Sequence, residues 1–118
     1  TTVHANSPTD AISRLETMAL MAGMEMPMSA IRDQVGRAIN VIVQQSRMRD
    51  GSRKITAISE IIGIEDGKIQ MQDLFRFEYN PNPSDPKLGQ IMATGRQPQF
   101  LERLAERGVT IPPEVFQR

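Results

Sequence analysis

Two Asp-Gly pairs, at residues 50–51 and 66–67, constrain this chain more than any other feature of its sequence. An Asp-Gly pair between two extended segments is the strongest short-range signal for a β-hairpin. Residues 39–48 and 53–64 flank the first pair and are rich in β-branched side chains, and Gly63 is a candidate bulge. The middle of the chain is therefore predicted to be a run of antiparallel hairpins.

Further strands and one loop are predicted after the second pair. Residues 68–71 and 74–77 have strand-like composition, and residues 89–94 are the last strand candidate. The proline-rich stretch at residues 80–88 cannot be a regular element, because each proline lacks an amide donor and fixes its own φ angle. We expect this stretch to be a loop.

Helices are predicted at both ends of the chain. Asn6 or Ser7 is a candidate N-cap for the first helix, and Gly23 is a suitable stop for it. Ser29 is a candidate cap for a second helix, and residues 98–107 read as a C-terminal helix. The elements together predict an α+β fold in which two N-terminal helices pack on an antiparallel or mixed sheet of β-hairpins, followed by a C-terminal helix.

The single histidine, His4, is a candidate functional residue because of its predicted position. Residues 1–4 are β-prone and are expected to end a strand just before the first helix. Open α/β sheets bind ligands at the carboxyl ends of their strands, where His4 would lie. One histidine cannot build a histidine-based zinc site, and the alternative for His4 is a structural or solvated side chain.

Composition excludes several classes of function. The chain has 118 residues, about one domain, with 14 basic and 14 acidic side chains. Zero net charge and few aromatic side chains argue against nucleic acid as a partner. No cysteine is present for a disulfide or a thiolate metal site. The longest apolar stretch falls far short of the roughly 20 residues that span a bilayer, so no membrane insertion is expected.

A phosphate-binding loop is the one catalytic motif that the sequence approaches, and it fails. Residues 63–69 place only three residues between the two glycines, where a P-loop has four. Ile69 stands where the hydroxyl that binds magnesium should be, and two acidic residues inside the segment would repel phosphate. We interpret this segment as a hairpin turn.

Two clusters of side chains have competing interpretations. Basic residues surround the first Asp-Gly pair, and they form either a solvated hairpin tip or a contact with a neighbouring subunit or a phosphate. They are Arg47, Arg49, Arg53 and Lys54. A methionine-rich stretch is expected to fill an irregular core, with a flexible partner-binding surface as the alternative. It contains Met18, Met21, Met24, Met26 and Met28.

Three segments carry a resemblance to a known family. The first is TVHANSPTDAISRLETM at residues 2–18, which resembles the end of the "His box" and the following helix of secretion-superfamily ATPases. The second is QQSRMRDGSRKI at residues 44–55 with SEIIG at residues 59–63, which resembles the hairpin of the CpaF/TadA branch. The third is ATGRQP at residues 93–98 leading to FLERL, which is similar to the C-terminus of that branch.

The resemblance implies that the chain is the C-terminal part of a RecA-like P-loop ATPase domain, cut inside a longer protein. Residues 1–79 would be a portion of the ATPase core, residues 80–88 its proline-rich loop, and residues 89–118 the C-terminal strand and helix. Such ATPases form homohexamers at the cytoplasmic face of the inner membrane. They power Flp or type IV pilus assembly, or type II/IV secretion, together with inner-membrane platform proteins.

The resemblance also implies roles for individual residues. His4 matches the second histidine of the His box, which contacts the γ-phosphate side of the nucleotide and is the catalytic candidate. Arg47, Arg49 and Arg53 are the candidates for subunit contacts. The intact protein would use ATP and magnesium, whereas this chain lacks the P-loop and the Walker B carboxylates, so the chain alone is expected to be inactive. The alternative function is a stand-alone protein-interaction module.

Overall fold

The computed structural model describes residues 1–23 and 25–118 and shows an α+β chain. Its elements follow one another along the sequence as two helices, four strands, a third helix and a 3-10 turn. In chain order they are α1 (Pro8–Met21), α2 (Met28–Ala38), β1 (Val41–Arg47), β2 (Arg53–Glu65), β3 (Lys68–Tyr79), β4 (Gly89–Ala93), α3 (Phe100–Glu106) and η1 (Pro113–Phe116).

The four strands form one antiparallel meander in the order β1-β2-β3-β4. The turn between β2 and β3 is the predicted two-residue hairpin: Asp66 and Gly67 have φ angles of 52° and 73°, as a type I′ turn requires. The turn between β1 and β2 is longer than predicted. Met48 leaves the strand and is buried, its amide donates to Ser52, and Gly51 in turn donates to the Met48 carbonyl. Burial of the methionine therefore ends β1 one residue early.

The third strand is continuous where the sequence predicted two short strands. The polar residues Gln72 and Asp73, which lie between the two predicted strands, stay in β3 because both have hydrogen-bond partners on β2. Gln72 donates to Glu60 at 2.8 Å, and Ser59 donates to Asp73 at 2.6 Å. Register shifts in the β2–β3 pairing, next to Ser59 and Gly63, accommodate the extra residues, and the predicted bulge at Gly63 coincides with one of them.

Residues 1–4 do not form the predicted strand, and this expectation for His4 was wrong. They precede α1 without regular secondary structure. A β-strand persists only where a neighbouring strand bonds its backbone, and none of the described strands pairs with this segment. The segment is attached to the sheet by a side chain instead, since the Gln44 amide donates to the carbonyl of Ala5 at 2.9 Å.

Helix ends follow the predictions only in part. Ser7, one of the two predicted caps of α1, accepts from the amide of Asp10 at 3.1 Å, and Gly23 adopts the left-handed conformation after the helix, with φ 79°. The predicted cap at Ser29 was wrong, because α2 is capped at Pro27 without a side-chain bond and Ser29 lies inside it. The C-terminal helix begins at Phe100, two residues later than predicted.

Both faces of the sheet are covered in part. On one face, α1 and α2 contribute the buried side chains Ala11, Ile12 and Ile31. On the other face an aromatic cluster joins the sheet to the C-terminal segment. In it, the ring of Phe116 lies 5.8 Å from Phe75 and 6.4 Å from Phe100.

Candidate functional site

The structure places His4 at the surface, immediately before α1. The side chain is exposed and lines a cleft of about 430 Å³ that also contains Arg14 and Thr17. Arg14 is not free in this cleft, because its Nε lies 3.2 Å from the carboxylate of Asp10. His4 is therefore accessible to a ligand or a second polypeptide, with one partly neutralised guanidinium nearby.

The start of α1 holds the residues after His4 in one conformation. The carboxylate of Asp10 accepts from the backbone amide of Asn6 at 2.9 Å, and the hydroxyl of Ser7 accepts from the amide of Asp10. The bond from Asn6 and the contact with Arg14 hold the pKa of Asp10 below its usual value. This reciprocal arrangement resembles a capping box and orders the chain two residues after His4.

A polar cluster that the sequence analysis missed lies between β2 and β3. Asp73 accepts from the hydroxyl of Ser59 and from Nε of Arg76, each at 2.6 Å. Burial raises the pKa of Asp73, but the bonds from Ser59 and Arg76 and the charges of Arg76 and Arg96 outweigh it and hold the pKa below its ordinary value. Asp73 and both arginines line a cleft of about 420 Å³ beside the first turn of α1. Asp73 is thus a carboxylate that stays ionised.

Glu60 is a buried carboxylate that accepts three hydrogen bonds. Its side chain is 1% exposed, and its carboxylate accepts from Gln72 at 2.8 Å and from the backbone amides of Gln99 and Phe100 at 2.9 Å. It therefore clamps the first turn of α3 onto the sheet. The sequence signal was present, as a single acidic residue within a mostly apolar stretch of β2, but the two backbone amides that it binds at the start of α3 lie 39 and 40 residues away.

The basic hairpin, defined as Arg47, Arg49 and Arg53, is brought together as the sequence suggested. Arg47 and Arg53 are direct cross-strand partners at the ends of β1 and β2, and Arg49 lies in the turn between them. All three are exposed, and none makes an ion pair with any residue in the described ranges 1–23 and 25–118. Like charges directly opposite each other destabilise a sheet, so this arrangement costs the isolated chain stability.

Several arginines elsewhere in the chain do have acidic partners. The pairs are Arg14 with Asp10, Arg32 with Glu16, Arg37 with Asp33, Arg76 with Asp73, and Arg118 with Glu78. Arg96, Arg103 and Arg107 also lack an ion pair among the described residues, so the basic hairpin is distinguished by the register that places Arg47 directly opposite Arg53. His4 does not join it, since the cleft that His4 lines contains none of the three arginines.

The methionine-rich stretch does not fill a core as expected. Met18 and Met21 are exposed, Met21 to 82%, while Met26 and Met28 are half-buried, and Met24 lies outside the described residues. The reason is that the buried residues of α1 lie in its earlier turns and mainly on the side of the helix away from Met18 and Met21. Met18 and Met21 lie three positions apart, on the same side of the helix, and form an exposed apolar patch at the end of α1.

Neither a metal-binding cluster nor a membrane-spanning helix is found in the part of the chain that the structure describes. Among the described residues, no group of three or more histidine, cysteine, aspartate or glutamate side chains is arranged to hold a metal ion. Within those same ranges, none of the helices is both long enough and apolar enough to cross a bilayer.

Comparison with known proteins gives a partial similarity. No family model matches the chain. Two proteins of Mycobacterium tuberculosis, one from strain CDC 1551 / Oshkosh and one from strain H37Rv, are each 29% identical to it over 69 residues. Both carry the provisional name of conjugal transfer protein. The alignment covers 58% of this chain but only 19% of each relative, so the chain matches a small part of those proteins.

Proposed function

We propose that this chain is the C-terminal part of the RecA-like ATPase domain of a CpaF/TadA-type secretion ATPase. The intact protein would be a homohexamer at the cytoplasmic face of the inner membrane, where it hydrolyses ATP to drive pilus assembly or secretion through platform proteins. The resemblance of residues 2–18 and 44–55 supports this proposal, and so does the similarity to conjugal transfer proteins. The observation that carries it is the 29% identity over 69 residues to the two conjugal transfer proteins; His4 does not end a strand, but its exposed side chain is accessible to a nucleotide.

The residues of this chain fit only a small part of an ATP site. Phosphoryl transfer depends mainly on groups that position the phosphates and neutralise their charge: an amide cradle, a lysine and carboxylates that hold magnesium. The described residues contain no carboxylate cluster suited to magnesium, and the glycine-containing segment at residues 63–67 is a hairpin turn. His4 can donate one hydrogen bond to a phosphate oxygen, and the other contacts would come from the rest of the intact protein.

The test is His4→Ala in the full-length protein to which this chain is proposed to belong. We expect ATP hydrolysis to fall by about 10²-fold, the usual cost of removing one donor that stabilises transition-state charge. Because His4 is exposed, the fold should be unaffected, and the melting temperature should match that of the parent. Lys87→Ala, at another exposed site, is the control and should leave hydrolysis unchanged. An unaltered rate for His4→Ala would contradict the proposal.

A stand-alone protein-interaction module is the second candidate function, and one observation favours it. Met18 and Met21 form an exposed apolar patch of flexible side chains at the end of α1, of the kind that binds varied partners. The two candidates differ in what the patch does. In a binding module, Met18→Ser with Met21→Ser should abolish capture of a protein partner while His4→Ala does not, whereas in the ATPase only His4→Ala should reduce hydrolysis.

A further inference from the structure

Strand β2 connects two hairpin ends of opposite charge. One end is the basic hairpin at Arg53, and the other is the acidic tip, defined as Glu65 and Asp66 in the turn to β3. The strand has 13 residues, so its two ends are about 40 Å apart at about 3.3 Å per residue. Charge is therefore separated along the longest strand of a molecule whose formal net charge is zero.

Each end carries exposed apolar side chains beside its charges. Val43 is 56% exposed and lies on the same face of β1 as Arg47, and Ile55 on β2 is 36% exposed. Next to the acidic tip, Ile62 and Ile64 are 37% and 39% exposed. Both ends therefore combine an unpartnered charge with apolar surface, which is the composition of a contact region rather than of a solvated turn.

The acidic tip is not neutralised by its neighbours. Lys68 lies opposite Glu65 in the register but forms no ion pair with it among the described residues. Arg32 reaches the turn, where it donates to the carbonyl of Gly67 at 2.7 Å, but its charge is already matched by Glu16 at 3.0 Å. The carboxylates of the tip remain available to an external cation.

We propose that the basic hairpin of one copy of this chain binds the acidic tip of a second copy. This inference rests on the proposed role of the basic hairpin as a subunit contact, and it names what the hairpin contacts. A second copy is favoured because the same chain carries the complementary charge and apolar surface at its other end. The contact is heterologous, head to tail, since the two surfaces are different.

The contact should be weak and sensitive to salt. Two hairpin ends bury much less than the roughly 800 Å² per partner of a stable interface, and exposed charges are screened beyond about 10 Å at 0.1 M salt. We therefore expect association of the 118-residue chain in low salt and its loss at high salt. The relief of repulsion between Arg47 and Arg53 adds to the attraction.

The experiment is sedimentation equilibrium of the chain at low ionic strength, up to about millimolar concentration, the range in which weak contacts of a few kcal/mol are populated. A basic-end variant, Arg47→Glu with Arg53→Glu, should lower the association constant at least tenfold. An acidic-tip variant, Glu65→Lys with Asp66→Asn, should do the same, and asparagine tolerates the positive φ at that position. Combining all four substitutions should restore association.

Mixing the two variants tests the head-to-tail geometry. The intact basic hairpin of one variant should bind the intact acidic tip of the other, and the two substituted ends should bind each other as in the four-substitution chain, so the mixture should associate whereas neither variant associates alone. The matched control for the basic-end variant is Arg103→Glu with Arg107→Glu, two exposed arginines on α3 and directly after it, which should leave association unchanged apart from a small general charge effect. Circular dichroism of every variant checks that it is folded.

Several results would overturn the inference. A parent chain that stays monomeric throughout the concentration range contradicts it, as does an acidic-tip variant that associates normally. If only the basic-end variant loses association, the hairpin is an interface but its partner is not the acidic tip. If the monomeric chain instead binds vesicles containing phosphatidylserine through Arg47 and Arg53, the partner is an anionic membrane. None of these outcomes depends on whether His4→Ala changes ATP hydrolysis.

Discussion

Glu60 and the basic hairpin are charged regions of the same sheet that differ in burial and in hydrogen bonding. Glu60 is buried and accepts three hydrogen bonds, whereas Arg47 and Arg53 are exposed and face each other across the hairpin. A buried charge is tolerated only when hydrogen bonds compensate for its lost hydration. An exposed pair of like charges lowers the stability of the fold only slightly, so it can be retained because the charges bind a partner. The comparison separates a charge that holds the fold together from charges that are available to a partner.

The largest expected effect on stability is at Glu60, the buried charge. Glu60→Ala should lower the free energy of unfolding by about 3 kcal/mol, because hydrogen bonds to charged groups contribute about 1.5–3 kcal/mol each and the α3 amides lose their acceptor. Urea denaturation of the chain measures the change. Glu102→Ala, at an exposed position on α3, is the control and should stay within about 0.5 kcal/mol of the parent. Equal effects at both positions would mean that Glu60 does not clamp α3.

An intermediate effect is expected at Asp73, which is partly buried and bonded to Ser59 and Arg76. Its pKa is lowered in the folded state, so its stabilising contribution is complete above the unfolded value of about 3.9 and is lost as the pH falls through the folded value. Asp73→Asn should therefore reduce the loss of stability below about pH 4. Thermal melts of both proteins from neutral to acidic pH measure this.

The control for Asp73 is Asp85→Asn, in the exposed proline-rich loop, which should leave the acid-dependent part of the melting curve unchanged. If Asp73→Asn melts with the same pH dependence as the parent, the carboxylate is not held ionised by Ser59 and Arg76. Asp73 would then resemble the exposed charges, which do not stabilise the fold, rather than Glu60.

The smallest expected effect is a gain in stability rather than a loss. Arg47→Ala removes one member of the cross-strand arginine pair, so the chain should become more stable, by up to about 0.5 kcal/mol at low salt, and the gain should shrink as salt is added. Arg118→Ala is the matched control: it breaks the pair with Glu78 and should not stabilise the chain. A loss of stability in Arg47→Ala would show that Arg47 has a structural role.

Local chemistry explains which elements could be predicted. The Asp-Gly pair at residues 66–67 forms the hairpin it indicates, because its preference for positive φ acts within the turn itself. Ser7 and Gly23 mark the two ends of α1 for the same reason, since a helix cap involves residues only a few positions apart. The predicted clustering of Arg47 and Arg53 also follows from one hairpin.

The failed predictions share a different cause. Residues 1–4 have the composition of a strand but lack a strand to pair with, and the exposure of Met21 depends on which side of α1 meets the sheet. Two short strands were predicted where β3 is continuous, because the partners of Gln72 and Asp73 on β2 keep both residues within the strand. In each case the outcome depends on residues far away in the sequence.

The sequence by itself therefore determined where the chain turns, which segments extend, and which charges collect at the first hairpin. These features depend on the torsional preferences of a few adjacent residues. Only the tertiary structure decided that Glu60 meets the amides of Gln99 and Phe100, and that His4 lies exposed before a capped helix rather than at the end of a strand. Hydrogen bonds between residues that distant depend on the packing of α3 against the sheet, which no local pattern encodes.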